Sequence, residues 1–178
     1  QGNPLQVAAQ TSAGEVDIGI ATEALAEDPD LVTLPCYQWN RGVLVPKGHA
    51  LAKQRPLTLE ALARHPIVTY DFAFTGRTAI NAAFAAKGLE PNVVLSALDA
   101  DVIKTYVELG MGVGIIASIA YDDEQDRKLV RLPAPGVFRP STSSIAIRRE
   151  RLLRRYAYRF IEYCSPALTE SVLRGEDS

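Results

Sequence analysis

An α/β fold is what this sequence predicts, and three observations predict it. Segments of strand character alternate with segments of helical character along most of the 178 residues. One stretch, Asp99 to Ala117, contains the repeating unit whole, as helix, glycine turn and buried strand. The composition, 47% apolar and 22% charged, is enough to build a sizeable core and is ordinary for a globular protein.

The central stretch is the most legible. Val102, Ile103, Tyr106 and Val107 recur at helical spacing and predict one apolar stripe. Asp99 is placed to cap the helix, and Asp101 puts negative charge in its first turn, where the dipole favours it. Gly110 suits a left-handed cap at the helix end. Val113 to Ala117 then runs almost without polar residues, as a strand covered on both faces does. Ser118 is expected to cap the next helix.

In chain order, Gln1 to Pro4 reads as a loop, and Leu5 to Ser12 as a short helix closed by Gly14. Val16 to Ala21 is a buried strand with Thr22 directly after it. Ala24 to Asp30 is an acidic loop, Leu31 to Leu34 is a short apolar run, and Gly42 to Pro46 is a strand. Lys47-Gly-His leads into a short helical piece, and Thr58 caps a helix begun at Pro56. Ile67 to Tyr70 is a strand, Asp71 to Gly76 a loop, and Arg77 to Lys87 a helix closed by Gly88. Pro91 to Ala97 is a strand. After the central unit come an acidic turn at Asp122 to Asp126 and strands at Leu129 to Leu132 and Ser143 to Arg149. Leu152 to Cys164 is a helix with a basic first half, ended by Pro166.

Several function classes find no support. Net charge is −2 and the pI about 5.7, so no nucleic-acid surface is announced. The basic run Arg148, Arg149, Arg151, Arg154, Arg155 and Arg159 is distributed around a helix that also carries Leu152, Leu153, Tyr156 and Phe160, and reads as a solvated face. There is no apolar run of membrane-spanning length and no signal segment at Gln1. Cys36 and Cys164 lie far apart, which fits a reduced, cytoplasmic setting. There is no Gly-x-Ser-x-Gly elbow and no phosphate-cradling Gly-x-x-x-x-Gly-Lys motif. Gly110-x-Gly-x-Gly follows a helix and opens a strand, the reverse of a dinucleotide fingerprint. His49 and His65 sit in turn-like contexts with no Cys or His at ligand spacing, so neither metal nor cofactor is expected.

The remaining chemistry is in small hydroxyl residues at strand ends. Thr22 ends the first strand, and Thr75 follows the strand Ile67 to Tyr70, just ahead of Arg77 and Thr78. Hydroxyls and free backbone N–H groups there suit a carboxylate or sulfate, although both threonines also read as plain helix caps. Trp39, the single tryptophan, reads either as packing or as the wall of a ligand cleft.

Asp99-Ala-Asp-Val-Ile-Lys-Thr-Tyr-Val with Gly110-Met-Gly-Val-Gly-Ile-Ile-Ala resembles the effector-binding domain of LysR-type transcriptional regulators. Asp17-Ile-Gly-Ile-Ala-Thr-Glu-Ala, Leu34-Pro-Cys-Tyr-Gln-Trp-Asn-Arg and Val68-Thr-Tyr-Asp-Phe-Ala-Phe-Thr-Gly-Arg narrow it to the CysB/Cbl-like regulators of sulfur assimilation. The resemblance runs from Gln1 to at least Leu168. It implies two Rossmann-like subdomains with a ligand cleft between them, periplasmic-binding-protein-like (type 2), comprising residues 1–36 with 142–178 and residues 37–141. It also places a strand, a helix and a winged helix-turn-helix domain ahead of the position of Gln1, so that DNA is a partner only through that domain. It turns Thr22 and Thr75 into ligand contacts, adds Gly76, sets Gly2 in a loop facing the same cleft, and supports Trp39 as a cleft wall. The implied effector is N-acetylserine, O-acetylserine, sulfate or thiosulfate, and the implied full-length state is a homo-tetramer. A periplasmic solute-binding protein has the same architecture and is the rival reading. An α/β enzyme lacks a nucleophile, base or metal set.

Overall fold

The computed structural model describes residues 2–22, 28–71, 75–149 and 153–174, with the backbone alone at 75, 76 and 174. The chain divides into two compact units, Gln1–Gln38 with Thr142–Ser178, and Trp39–Ser141.

The first unit holds helix α1 (Pro4–Ser12), strand β1 (Gly19–Thr22), β2 (Leu31–Trp39) except its last residue and β8 (Ser141–Arg148) except its first, in the sheet order β1-β8-β2. It also holds helices α5 (Arg155–Cys164) and α6 (Glu170–Arg174). Pro4 suits the first turn of α1, where its missing N–H is not needed. Asn3 and Gln6 exchange side-chain and backbone bonds at 2.9 Å, a reciprocal cap. β1 is shorter than the apolar run suggested. It begins at Gly19, leaves Val16 38% exposed, and includes Thr22 as its last residue. β2 is longer, because pairing in the sheet carries it through exposed Pro35 to Trp39.

The buried face of α5 also departs from expectation. Leu153, Ala157 and Ile161, spaced by four, face the core with Tyr158, whereas Tyr156 and Phe160 lie on the flank and are exposed. The arginines of this region are not all merely solvated. Arg149 donates to Pro29 O and Leu31 O, both at 3.3 Å, and Arg159 pairs with Glu162. Arg151 and Leu152 lie outside the described residues. Helix α6 had no counterpart in the sequence reading.

The second unit is built on a five-stranded sheet of β3 (Arg41–Pro46), β4 (Ile67–Tyr70), β5 (Val93–Ala97), β6 (Val113–Ala117) and β7 (Leu129–Leu132). The order is β5-β4-β6-β3-β7. β4 is parallel to both β5 and β6, while β3 runs antiparallel to β6 and β7. Helices α2 (Leu59–Leu62), α3 (Thr75–Ala85) and α4 (Ala100–Glu108) complete it. Alternation along β3 sends Val43 and Val45 to one core, with Leu62, Ile80 and Phe84. Leu44 goes to the other, with Ile103, Val107 and Ile116.

At the central unit, Asp99 accepts the Val102 N–H at 2.9 Å, and Gly110 takes φ +78°, the left-handed conformation a glycine adopts freely. Gly114 is required by closeness: a Cβ there would lie 2.8 Å from Val107 Cγ2. The stripe is narrower than predicted. Ile103 and Val107 are fully buried, Tyr106 packs at the margin, and Val102 is 40% exposed. Ser118 caps nothing, since it opens a 3-10 turn without a side-chain cap bond. Replacing Asp99 with Ala is expected to cost about 1 kcal/mol of stability, read as a lower urea midpoint with unchanged slope.

Candidate functional site

In the second unit, β4 ends on Tyr70 and the chain re-enters as α3 at Thr75. Residues 72–74 of the expected loop lie outside the described residues, and Thr75 and Gly76 are the first helical residues rather than loop. The first turn of α3, whose N–H groups have no acceptor within the helix itself, thus follows the carboxyl end of β4 after residues 71–74, the order in which anion-binding α/β units place strand and helix. Arg77 fastens this junction. Its Nη1 donates to Ser96 Oγ at 3.1 Å and Tyr70 O at 3.4 Å, and its Nε donates to Asn81 Oδ1 at 3.1 Å. Arg77 is 5% exposed, and burial lowers its pKa, opposed by the charge of Asp71. Its burial was legible in principle: Arg77, Ile80 and Phe84 recur at +3 and +7, one face of α3.

Tyr70 was missed as well. Its hydroxyl accepts the Ala117 N–H at 3.3 Å, tying the end of β4 to the end of β6, and burial raises its pKa. Ala117 stands opposite Arg41 in the β3–β6 ladder, and the Arg41 guanidinium carbon lies 5.0 Å from the centroid of the Trp39 ring. Trp39 is thus linked through Arg41 and Ala117 to the strand that leads to Thr75. Trp39 is half-buried.

In the first unit, Thr22 ends β1 opposite Ser143 and is half-buried. A short connection joins α1 to β1, so the helix runs back antiparallel to the strand. Val7 and Ala21 both pack on the cluster of Ala8, Leu31 and Ala146. This sets the start of α1, with Gly2 just before its Asn3 cap, toward the Thr22 end of β1. Thr22 and Gly2 therefore belong to one unit, and Thr75, Gly76 and Trp39 to the other.

Asp101, the first-turn charge of α4, and the two histidines are engaged elsewhere. Asp101 is 89% exposed and pairs with Lys104 at 2.9 Å. Lys104 also bonds Asp126 and Ala120 O. Burial alone would lower the Lys104 pKa, but its bonds to the two aspartates outweigh that and raise it. His49 and His65 are not isolated: their rings meet edge-on, with centroids 5.1 Å apart. His49 Nδ1 accepts the Leu51 N–H at 3.2 Å. Burial, and second the neighbouring His65, lower the His49 pKa from its ordinary 6.5. At His49 the unfolded chain therefore binds more protons than the folded one as pH falls through 6.5, so this residue removes stability on acidification. Between roughly pH 7.5 and 5.5, urea midpoints are expected to fall less for His49→Gln than for the parent. Among the described residues, no group of three or more metal-ligating side chains forms, and no helix is long and apolar enough to cross a membrane.

A family model described as the LysR substrate binding domain matches residues 1–169. The chain belongs to this family. It is 52% identical to the HTH-type transcriptional regulator SsuR of Burkholderia cenocepacia over 175 residues, 98% of the chain and 57% of that regulator. It is 50% identical to CysB of Haemophilus influenzae over 173 residues, 97% of the chain and 53% of that protein. The LysR-type domain thus spans about half the length of the curated relatives it matches. Its fold matches the crystal structure of the cofactor-binding domain of the Cbl transcriptional regulator, with TM-score 0.92 and 43% identity, covering 98% of this chain and 77% of that one. The two-sheet α/β architecture is therefore that of LysR-type effector domains, and the similar proteins are transcriptional regulators of the SsuR, CysB and Cbl kind.

Proposed function

We propose that the chain senses the sulfur supply for a regulator of sulfur assimilation and cysteine biosynthesis. Its effector is acetylserine, in the N- or O-acetyl form, or a sulfur oxyanion, sulfate or thiosulfate. Thr22 and Thr75 donate hydrogen bonds to this ligand. The backbone at Gly76 and Gly2 and the ring of Trp39 complete its surroundings. The observation that supports the reading most is the junction of β4 with α3. There, helix N-terminal N–H groups and a threonine follow a strand end that Tyr70 and Arg77 hold in place. The similarity to SsuR and CysB supports the sulfur assignment.

The domain acts by population shift. A ligand that binds one conformation better moves the protein toward it, by as much as its affinities differ. It is not an enzyme. In the full-length cytoplasmic protein, a homo-tetramer, the helix-turn-helix domain binds DNA, and this domain biases how it does so. The chain alone, with net charge −2, is not expected to retard a promoter fragment sequence-specifically.

Trp39 supplies the test. It is the single tryptophan, so its emission reports one place. Acetylserine or a sulfur oxyanion is expected to change that emission in a saturable way that matched sodium chloride does not reproduce. Saturable ligand binding by calorimetry with flat Trp39 emission would remove Trp39 from the site.

A further inference from the structure

The sequence separates Cys36 and Cys164 by 128 positions, yet the first unit brings them into contact. Cys36 stands on β2, and Cys164 is the last residue of α5. The Cys36 thiol donates to the Cys164 carbonyl oxygen at 3.2 Å. Both side chains pack on the cluster of Ile145, Leu153, Ala157 and Ile161. A sulfur held that close to a residue's carbonyl is within rotamer reach of that residue's own sulfur, since both groups hang from one Cα.

With both thiols reduced, the contact has a plain structural use. The Cys164 carbonyl is one of the last four of α5, which have no N–H partner inside the helix. An S–H is a weak donor, so little is lost when the sulfur bonds elsewhere. Neither thiol is sealed from solvent. Both are half-buried, and their chain neighbours Tyr37 and Tyr163 are exposed. Burial, and second the charge of Cys164, push the Cys36 thiol up, so Cys164 is the first of the two to react.

We propose that Cys36 and Cys164 form an oxidation site, at which a peroxide closes a disulfide between β2 and the end of α5. The Cys164 thiolate attacks one peroxide oxygen, the O–O bond breaks, and the departing hydroxide takes up a proton and leaves as water. The Cys36 thiolate then attacks the sulfur of the sulfenic acid, S–OH, now on Cys164. The S–S bond forms, the S–O bond breaks, and a second water leaves. Two thiols and one hydrogen peroxide thus give one disulfide and two waters, and the two electrons lost by the sulfurs are those gained by the peroxide. The bond fixes β2 just before Trp39, the residue at which the chain passes into the second unit. The site uses neither Thr22 nor Thr75 and stands apart from the effector reading.

The test treats the folded, reduced chain with hydrogen peroxide in the absence of any effector. Peptide mass mapping without reductant is expected to show a Cys36–Cys164 cross-link in a chain of monomer mass. The two free thiols are expected to disappear together and to return with dithiothreitol. Dimedone traps sulfenic acids. It is expected to label Cys164 at least about tenfold more in Cys36→Ser than in the parent, where the neighbouring sulfur consumes the intermediate. The serine keeps a donor for the Cys164 carbonyl, and circular dichroism checks that the variant folds. Equal dimedone labelling in parent and variant overturns the site. So do thiols that survive the peroxide, and so do singly oxidised thiols or cross-links between chains in place of the internal bond.

Discussion

Ile103→Ala is expected to destabilise the chain by about 2–5 kcal/mol, whereas Val102→Ala next to it should stay within roughly 0.5 kcal/mol of the parent. Both residues are branched aliphatics on the same helix. The difference is placement: Ile103 is fully buried against Leu44, Val107 and Ile116, and Val102 is 40% exposed. Removing Ile103 loses its transfer free energy and leaves a cavity that the β3–β6 ladder holds open. Urea denaturation of the two variants measures the contrast. Equal losses would mean that α4 presents a different face to the sheet.

The second large effect concerns the ligand. Thr22→Val and Thr75→Val keep shape and remove a donor. A hydrogen bond to a charged group is worth about 1.5–3 kcal/mol, so each variant is expected to bind acetylserine or the sulfur oxyanion about 10- to 150-fold more weakly. Thr22 stands at the end of β1 and Thr75 at the start of α3, so neither substitution is expected to unfold the chain. Isothermal titration calorimetry, with circular dichroism as the control for folding, reads this directly. Unchanged affinity in both variants would take the threonines out of the site.

Much of the fold was legible because local signals agreed with one another. Asp99, the α4 period, Gly110 and the apolar run Val113 to Ala117 all specify one helix–turn–strand unit, and it forms there. Boundaries were less legible where long-range pairing decides them. Pro35 argues against a continuing strand, yet β2 runs to Trp39 because the sheet satisfies its backbone. Val16 looked buried by type, but the ladder with β8 starts at Gly19. The face of α5 was misjudged for a related reason. Tyr156 and Phe160 are apolar by type, but the spacing of Leu153, Ala157 and Ile161 decides which side is covered.

The threonines stood out because hydroxyls at strand ends are chemically conspicuous. The groups that frame them did not. Arg77 and Arg41 are charged residues by type: only the spacing of Arg77 with Ile80 and Phe84 hints at its burial, and for Arg41 tertiary contacts alone provide it. Tyr70 closes a strand by type, while its bond to the Ala117 N–H spans 47 positions and has no local signature. The His49–His65 contact is hidden in the same way, since two turns far apart in the chain bring the rings together.

The proposed function requires that this LysR-type domain recognise a sulfur-related anion through Thr22 and Thr75. The most direct measurement is calorimetric titration of the parent chain and of the Thr22→Val/Thr75→Val double variant. The ligands are N-acetylserine, O-acetylserine, sulfate and thiosulfate, each against matched sodium chloride. Saturable binding of at least one of the four to the parent is expected, weakened in the double variant by more than either single substitution weakens it. No saturable heat with any of the four in a folded parent chain, or equal affinity in the double variant, would contradict it.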